Sequence, residues 1–195
     1  VTRRALLALA LLAAAASTAR AQSPPLTIDA LMRRLAAVPA RRATFTEEKT
    51  IAALNAPLRS TGTLAYVRPD RLEKVTQSPS PETLEVAGAQ LSITGADGRT
   101  HALDLDRQPE LRALVDTVRA TLAGDLPALR RSYSVGLEGT EAAWRLTLVP
   151  TDPRLRRFVR VVRIDGSGDS PRAFDVTEPS GDAQRMIVTP LPAAP

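Results

Sequence analysis

The sequence predicts a mainly β fold: one antiparallel sheet of ten or eleven short strands, curled so that helices cover its apolar face. Three observations predict it. Apolar and polar residues alternate in short runs bounded by Gly, Pro and Asp turn signals along most of the chain. One stretch, residues 109–131, replaces that alternation with helical spacing. A single sheet of that many strands curls or splits rather than staying flat, and its concave face then needs a cover.

The elements follow in order. Arg3 and Arg4 precede twelve residues, Ala5 to Ala16, made only of Ala and Leu, and Ala19-Arg20-Ala21 ends the segment with a small-x-small pattern. Residues 1–21 therefore read as a cleavable export signal, which places the protein in the periplasm. The apolar run is too short to span a bilayer, which takes about 20 residues. Gln22 to Pro25 form a polar leader, and a single domain is expected over residues 22–189. Thr27 suits the N-cap of a short helix, in which Ile28, Leu31, Met32 and Leu35 keep helical spacing up to Pro39.

From Ala43 the period becomes that of strands. Leu64, Tyr66 and Arg68 alternate with Thr63, Ala65 and Val67, and Leu84 and Val86 with Thr83 and Glu85. Leu91 and Ile93 precede the turn signal Gly95 to Gly98, after which His101, Leu103 and Leu105 alternate with Thr100, Ala102 and Asp104. Pro109 then opens a helix whose stripe is Leu111, Leu114, Val115, Val118 and Leu122, and Gly124 suits its end. Asp125 caps a second short helix reaching about Arg131. Strands resume at Tyr133–Leu137, Trp144–Leu148, Phe158–Ile164, Phe174–Val176 and Met186–Val188. The Pro- and Ala-rich end, residues 190–195, is expected to be a disordered tail.

Charge and composition exclude more than they assign. Removing residues 1–21 takes Arg3, Arg4 and Arg20 with it, while all 21 acidic residues follow, so the net charge falls from +5 to about +2. That argues against nucleic acid as a partner. There is no Cys, and His101 is the single His, too few for the usual zinc sites. His101 falls in step with Leu103 and Leu105 and reads as a strand residue rather than a catalytic base. Asp104 and Asp106 read as a solvated face. Arg154 to Arg163 reads as a charged strand edge. No catalytic residue, metal or cofactor is expected, and the protein reads as a non-enzyme. A curved sheet under an amphipathic lid suits acyl chains, since each buried CH₂ contributes about 0.8 kcal/mol.

Several runs add a family resemblance. Phe45-Thr46-Glu47-Glu48-Lys49, Gly62-Thr63-Leu64-Ala65-Tyr66 and Val67-Arg68-Pro69-Asp70-Arg71-Leu72 resemble the opening strands of the LolA lipoprotein carrier family. Leu122-Ala123-Gly124-Asp125-Leu126 and Trp144 to Pro150 resemble its helical insertion and following strand. The resemblance implies an incomplete antiparallel β-barrel of about 11 strands with a helical lid, enclosing an apolar cavity. It implies a periplasmic carrier or chaperone that takes acyl chains of a lipoprotein or other lipophilic cargo from an inner-membrane exporter to an outer-membrane receptor. Such a carrier works as a monomer with transient membrane-surface contact.

The family's gating arginine carries over to Arg68, placed to donate to lid carbonyls. The candidate lipid-binding residues are Leu64, Tyr66, Leu72, Leu84, Val86, Leu91, Ile93, Leu111, Leu114, Val115, Val118 and Trp144. With six aromatic residues in the chain, the cargo stays open between a lipoprotein, a glycerolipid and a polyene pigment. A second reading is an envelope sensor or scaffold that uses the same fold to bind a protein.

Overall fold

The computed structural model describes residues 26–192. The expected export signal at 1–21, the leader at 22–25 and the last residues of the expected tail lie outside them. The helix α1 (Ile28–Ala36) starts at Thr27, whose side chain accepts the Ala30 N–H, and it buries Leu31, Met32 and Leu35. A meander of six strands follows: β1 (Ala40–Thr50), β2 (Leu58–Val67), β3 (Arg71–Ser78), β4 (Glu82–Ala87), β5 (Gln90–Thr94) and β6 (Thr100–Asp104). Next come α2 (Pro109–Ala123) and α3 (Leu126–Ser132). A second meander completes the chain: β7 (Tyr133–Thr140), β8 (Ala143–Pro150), β9 (Val161–Ser167), β10 (Ser170–Thr177) and β11 (Ala183–Pro190).

The strands form one sheet in the order β6-β5-β4-β3-β2-β1-β11-β10-β9-β8-β7. Every neighbouring pair is antiparallel. The two meanders meet at β1 and β11, so the first and last strands lie at the centre and β6 and β7 are the free edges. The chain passes from one edge to the other through α2 and α3, and the helices thereby bridge the open side. This is the incomplete barrel with a helical lid that the sequence predicts.

Two apolar clusters line the concave side. The larger joins Leu31, Met32 and Leu35 of α1 to Leu126 and Leu129 of α3 and to Trp144, Leu146, Leu148, Val162 and Ile164 of the second meander. The smaller is Val86, Leu91 and Leu105, with Leu72, Leu84, Ile93, Leu111 and Val115 packed around it. The convex face carries ion pairs between directly opposed residues, Arg145 with Asp165 and Arg185 with Asp175, the cross-strand pairing that steadies a solvated sheet face.

One strand is not anticipated, and three expectations are corrected. The strand β3 has no apolar alternation, because Lys74 and Thr76 occupy its concave positions; the sequence reading passes over it. Phe158 belongs to the β8–β9 connection, with β9 starting at Val161, so the arginine run is not a strand edge. The last strand extends to Pro190 and Leu191 N–H donates to Arg42 O, so residue 190 belongs to the sheet. Leu105 leaves the β6 alternation, begins a 3-10 turn and is buried.

Candidate functional site

Register decides which side chains share the concave face, because directly opposed residues point the same way. Ala43 of β1 faces Leu64 of β2, Phe45 faces Gly62 and Glu47 faces Ser60. Tyr66 then faces Leu72, and Leu64 faces Lys74 of β3. Leu72 faces Val86 and Lys74 faces Leu84; Val86 faces Leu91 and Leu84 faces Ile93. From above, α2 lowers Leu111 and Val115 onto this surface. The structure thus brings together Leu72, Leu84, Val86, Leu91, Ile93, Leu111 and Val115, seven of the candidate contact residues. Leu64 and Tyr66 continue the same face. Leu64, Leu72, Leu84, Ile93, Leu111 and Val115 are only partly buried, so an apolar strip remains accessible beneath α2.

The strip ends in a charged pair that sequence reasoning missed. Lys74 Nζ lies 2.7 Å from Glu47 Oε2, with the two side chains 25% and 11% exposed. Ser60 Oγ donates to the same carboxylate oxygen at 2.9 Å, and Gln184 Nε2 donates to Oε1. The ammonium also sits 4.9 Å from the Phe45 ring centroid, within cation–π range. An ammonium has three protons, so Lys74 keeps donor capacity beyond the Glu47 bond. The concave face therefore changes from apolar under α2 to polar at Glu47, Lys74, Ser60 and Gln184.

The β2–β3 turn meets both helical layers. Arg68 Nη1 donates to the Ala36 carbonyl at the end of α1, and its backbone N–H donates to Pro39 O. Arg68 is expected to donate to lid carbonyls; the helix whose carbonyl it reaches is α1, because β2 ends beside the α1–β1 junction. Contact with the insertion runs the other way. Arg119 of α2 donates through Nε and Nη2 to Asp70 O at 2.9 and 2.5 Å. Asp70 Oδ2 accepts the Gly88 N–H of the β4–β5 turn at the same end of the sheet. Arg119 thus ties α2 to the sheet, and it has no signal in the alternation because it lies on the polar side of its helix.

Beneath that turn Tyr66 is 2% exposed, and its hydroxyl has no hydrogen-bond partner among the described residues; neither does Arg41 Nε. Burial pushes the Tyr66 phenol up, against the pull of Arg68, Arg41 and Arg119. Burial also lowers the Arg41 guanidinium.

Three candidates sit elsewhere. Leu114 packs on the larger cluster. Val118 is 40% exposed, because the buried line of α2 runs through Thr117, Ala120 and Thr121. The two threonine hydroxyls donate to Ala113 O and Thr117 O one turn back, which lets them enter an apolar interior. Trp144 is sealed inside the larger cluster, its ring over Gly166, where a Cβ would collide with it, and its Nε1–H donates to Gly168 O at 3.0 Å. It is a packing residue.

A cleft of about 550 Å³ opens between α2, α3 and the β2–β3 turn, where Asp106, Arg112 and Arg131 share the walls with Ala113 and Leu129. Another, of about 520 Å³, lies among Arg145, Arg163, Asp175 and Arg185. Both are mixed in character; the apolar strip is separate from them. Among the described residues no group of His, Cys, Asp or Glu is placed to hold a metal ion. No described helix is long and apolar enough to cross a membrane. His101 is exposed on the edge strand β6, while Asp104 caps a turn and Asp106 pairs with Arg112.

Comparison with known proteins adds a family. The model of outer membrane lipoprotein carrier protein LolA-like proteins matches residues 5–194. A comparison with curated proteins finds no match. In shape the chain is similar to the LolA superfamily protein NE2245 from Nitrosomonas europaea. Identity is 10% and the TM-score 0.43, over 87% of this chain and 96% of that one. It is also similar to a chain in the Pseudomonas aeruginosa MucA/MucB complex, at 17% identity and a TM-score of 0.48 over 86% of this chain. There it spans 58% of the matched chain.

Proposed function

Because the chain belongs to the LolA-like family of outer membrane lipoprotein carrier proteins, we propose that it is a non-catalytic periplasmic carrier of an acylated or otherwise lipophilic cargo. The observation that carries this reading is the accessible apolar strip under α2, which ends at the Glu47–Lys74 pair. An acyl chain lying along Leu64, Leu72, Leu84 and Ile93 would be capped by Leu111 and Val115, and its polar end would reach the free donor capacity of Lys74. Each CH₂ removed from water contributes about 0.8 kcal/mol, so affinity should rise with chain length. Arg119, bonded to Asp70 O, would hold α2 down and release it when cargo enters. Export through residues 1–21 supplies the compartment, and donor and acceptor proteins in the two membranes are the matching partners.

Titration with a fluorescent fatty acid tests the reading. Saturable binding is expected, weakened at least tenfold by Ile93→Asn, which places an amide at a partly exposed position of the strip. Lys74→Met should weaken binding of the fatty acid more than that of the matching hydrocarbon. Absence of saturable binding by the unmodified protein would reject the carrier reading.

A further inference from the structure

One end of the sheet carries an exposed surface that neither apolar cluster accounts for. Neighbouring strands are antiparallel, so the β1–β2, β10–β11 and β8–β9 connections emerge at the same end. In the β8–β9 connection, Leu155 and Val159 are 1% and 2% exposed and belong to the larger cluster. A 3-10 turn over Leu155–Arg157 and a bond from Arg154 N–H to Asp152 Oδ1 fix the backbone between them. Pinned from beneath, the segment holds Arg154, Arg156, Arg157 and Arg160 outward, with Phe158 44% exposed among them. None of these four arginines forms an ion pair among the described residues, unlike Arg145 and Arg185 on the convex face.

The β1–β2 connection adds an apolar surface beside it. Residues 52–58, Ala-Ala-Leu-Asn-Ala-Pro-Leu, are all exposed, with Leu54 at 47% and Leu58 at 52%. The β10–β11 connection ties the two together: Ala52 N–H donates to Asp182 Oδ1 at 2.9 Å, and Arg160 N–H donates to Thr177 O at 2.7 Å. Three strand spacings separate β1 from β9, roughly 14 Å, so both segments fit one footprint. The nearby carboxylates, Asp152, Glu178 and Asp182, form no ion pair with these arginines among the described residues, so four guanidinium groups face three carboxylates and the surface keeps an excess of positive charge.

We propose that this end of the sheet docks on an anionic bilayer surface, the four arginines on lipid phosphates and Phe158, Leu54 and Leu58 in the headgroup boundary. Guanidinium groups match phosphate oxygens in geometry and stay charged at any physiological pH. Basic residues beside apolar side chains are the composition of interfacial anchors. A nucleic acid would ask for stacking platforms, and Phe158 is the single aromatic residue of the segment. The inference concerns the outer surface and holds whether or not the concave face takes cargo.

Flotation of the purified chain from residue 22 onward with liposomes tests it. Vesicles of phosphatidylcholine with about a third phosphatidylglycerol should carry the protein; phosphatidylcholine alone should not, and salt near 0.5 M should release it, since screening shortens the reach of each charge to a few ångströms. Each arginine changed to Gln should weaken binding about fivefold, and Phe158→Ala should weaken it at unchanged salt dependence. Circular dichroism identical to that of the parent shows that the variants fold; because all the changed residues are exposed, it should be. No flotation with anionic vesicles, equal flotation with neutral ones, full binding by the Arg154→Gln, Arg156→Gln, Arg157→Gln, Arg160→Gln variant, or retention on DNA in place of vesicles would each overturn the proposal.

Discussion

Two buried tyrosines show how much a hydroxyl depends on its partner. The Tyr133 hydroxyl is 2.9 Å from the Thr117 hydroxyl, whereas the Tyr66 hydroxyl is buried with no partner among the described residues. A satisfied buried hydrogen bond is worth about 1 kcal/mol net, and an unsatisfied group costs as much or more. Tyr133→Phe should therefore lower stability by about 1 kcal/mol, and Tyr66→Phe should leave it unchanged or raise it; urea melts of the two variants check this. On the convex face the Arg145 hydrogen bond holds the Asp165 carboxyl below its ordinary value. Its contribution is present above the unfolded carboxylate pKa of about 4 and is lost as pH falls through the depressed folded value. Asp165→Asn should then melt below the parent at pH 7, with the gap closing towards pH 2. Single residues were the least legible level in the sequence. Glu47 stood in a recognised run, yet its pairing with Lys74 and Gln184 depends on strand order, which no local pattern encodes.

At the level of elements, period and punctuation carried most of the information. Thr27, Pro109, Gly124 and Asp125 marked helix ends that the structure places where expected. Alternation located β2, β4, β5 and β8 through Leu64 and Tyr66, Leu84 and Val86, Leu91 and Ile93, and Trp144, Leu146 and Leu148, which share the concave face. It failed on β3, where a lysine and a threonine face inward, and it misassigned Phe158, whose neighbours Leu155 and Val159 are buried from a turn rather than a strand. The stripe of α2 held for Leu111, Leu114 and Val115 but missed at Val118, because Thr117 and Thr121 take the buried line by hiding their hydroxyls on the preceding turn. Gly124 shows what a correct helix end does: its φ is +68°, and a Cβ there would collide with the Met32 carbonyl of α1. Gly124→Ala should destabilise the protein by about 1–3 kcal/mol, read as a lower thermal midpoint with the α1–α2 contact loosened in hydrogen exchange.

For the whole molecule, fold class was legible because curl, strand number and an interrupting helical stretch all point to one covered sheet. The site was legible only in outline. Seven candidate residues converge under α2, but Trp144 and Leu114 fill the neighbouring cluster and Val118 faces solvent, since which apolar positions stay accessible is settled by how the two meanders meet at β1 and β11. That meeting also sets the polarity of the concave face, apolar beneath the lid and charged at Glu47 and Lys74, the arrangement an amphiphile would need. Native mass spectrometry of the protein isolated from the cell envelope tests this most directly. A carrier should emerge as a one-to-one complex with an amphiphile whose polar group can accept a hydrogen bond, lost in Ile93→Asn; a protein that emerges bare and takes up no fatty acid when offered it would rule out carriage on this face.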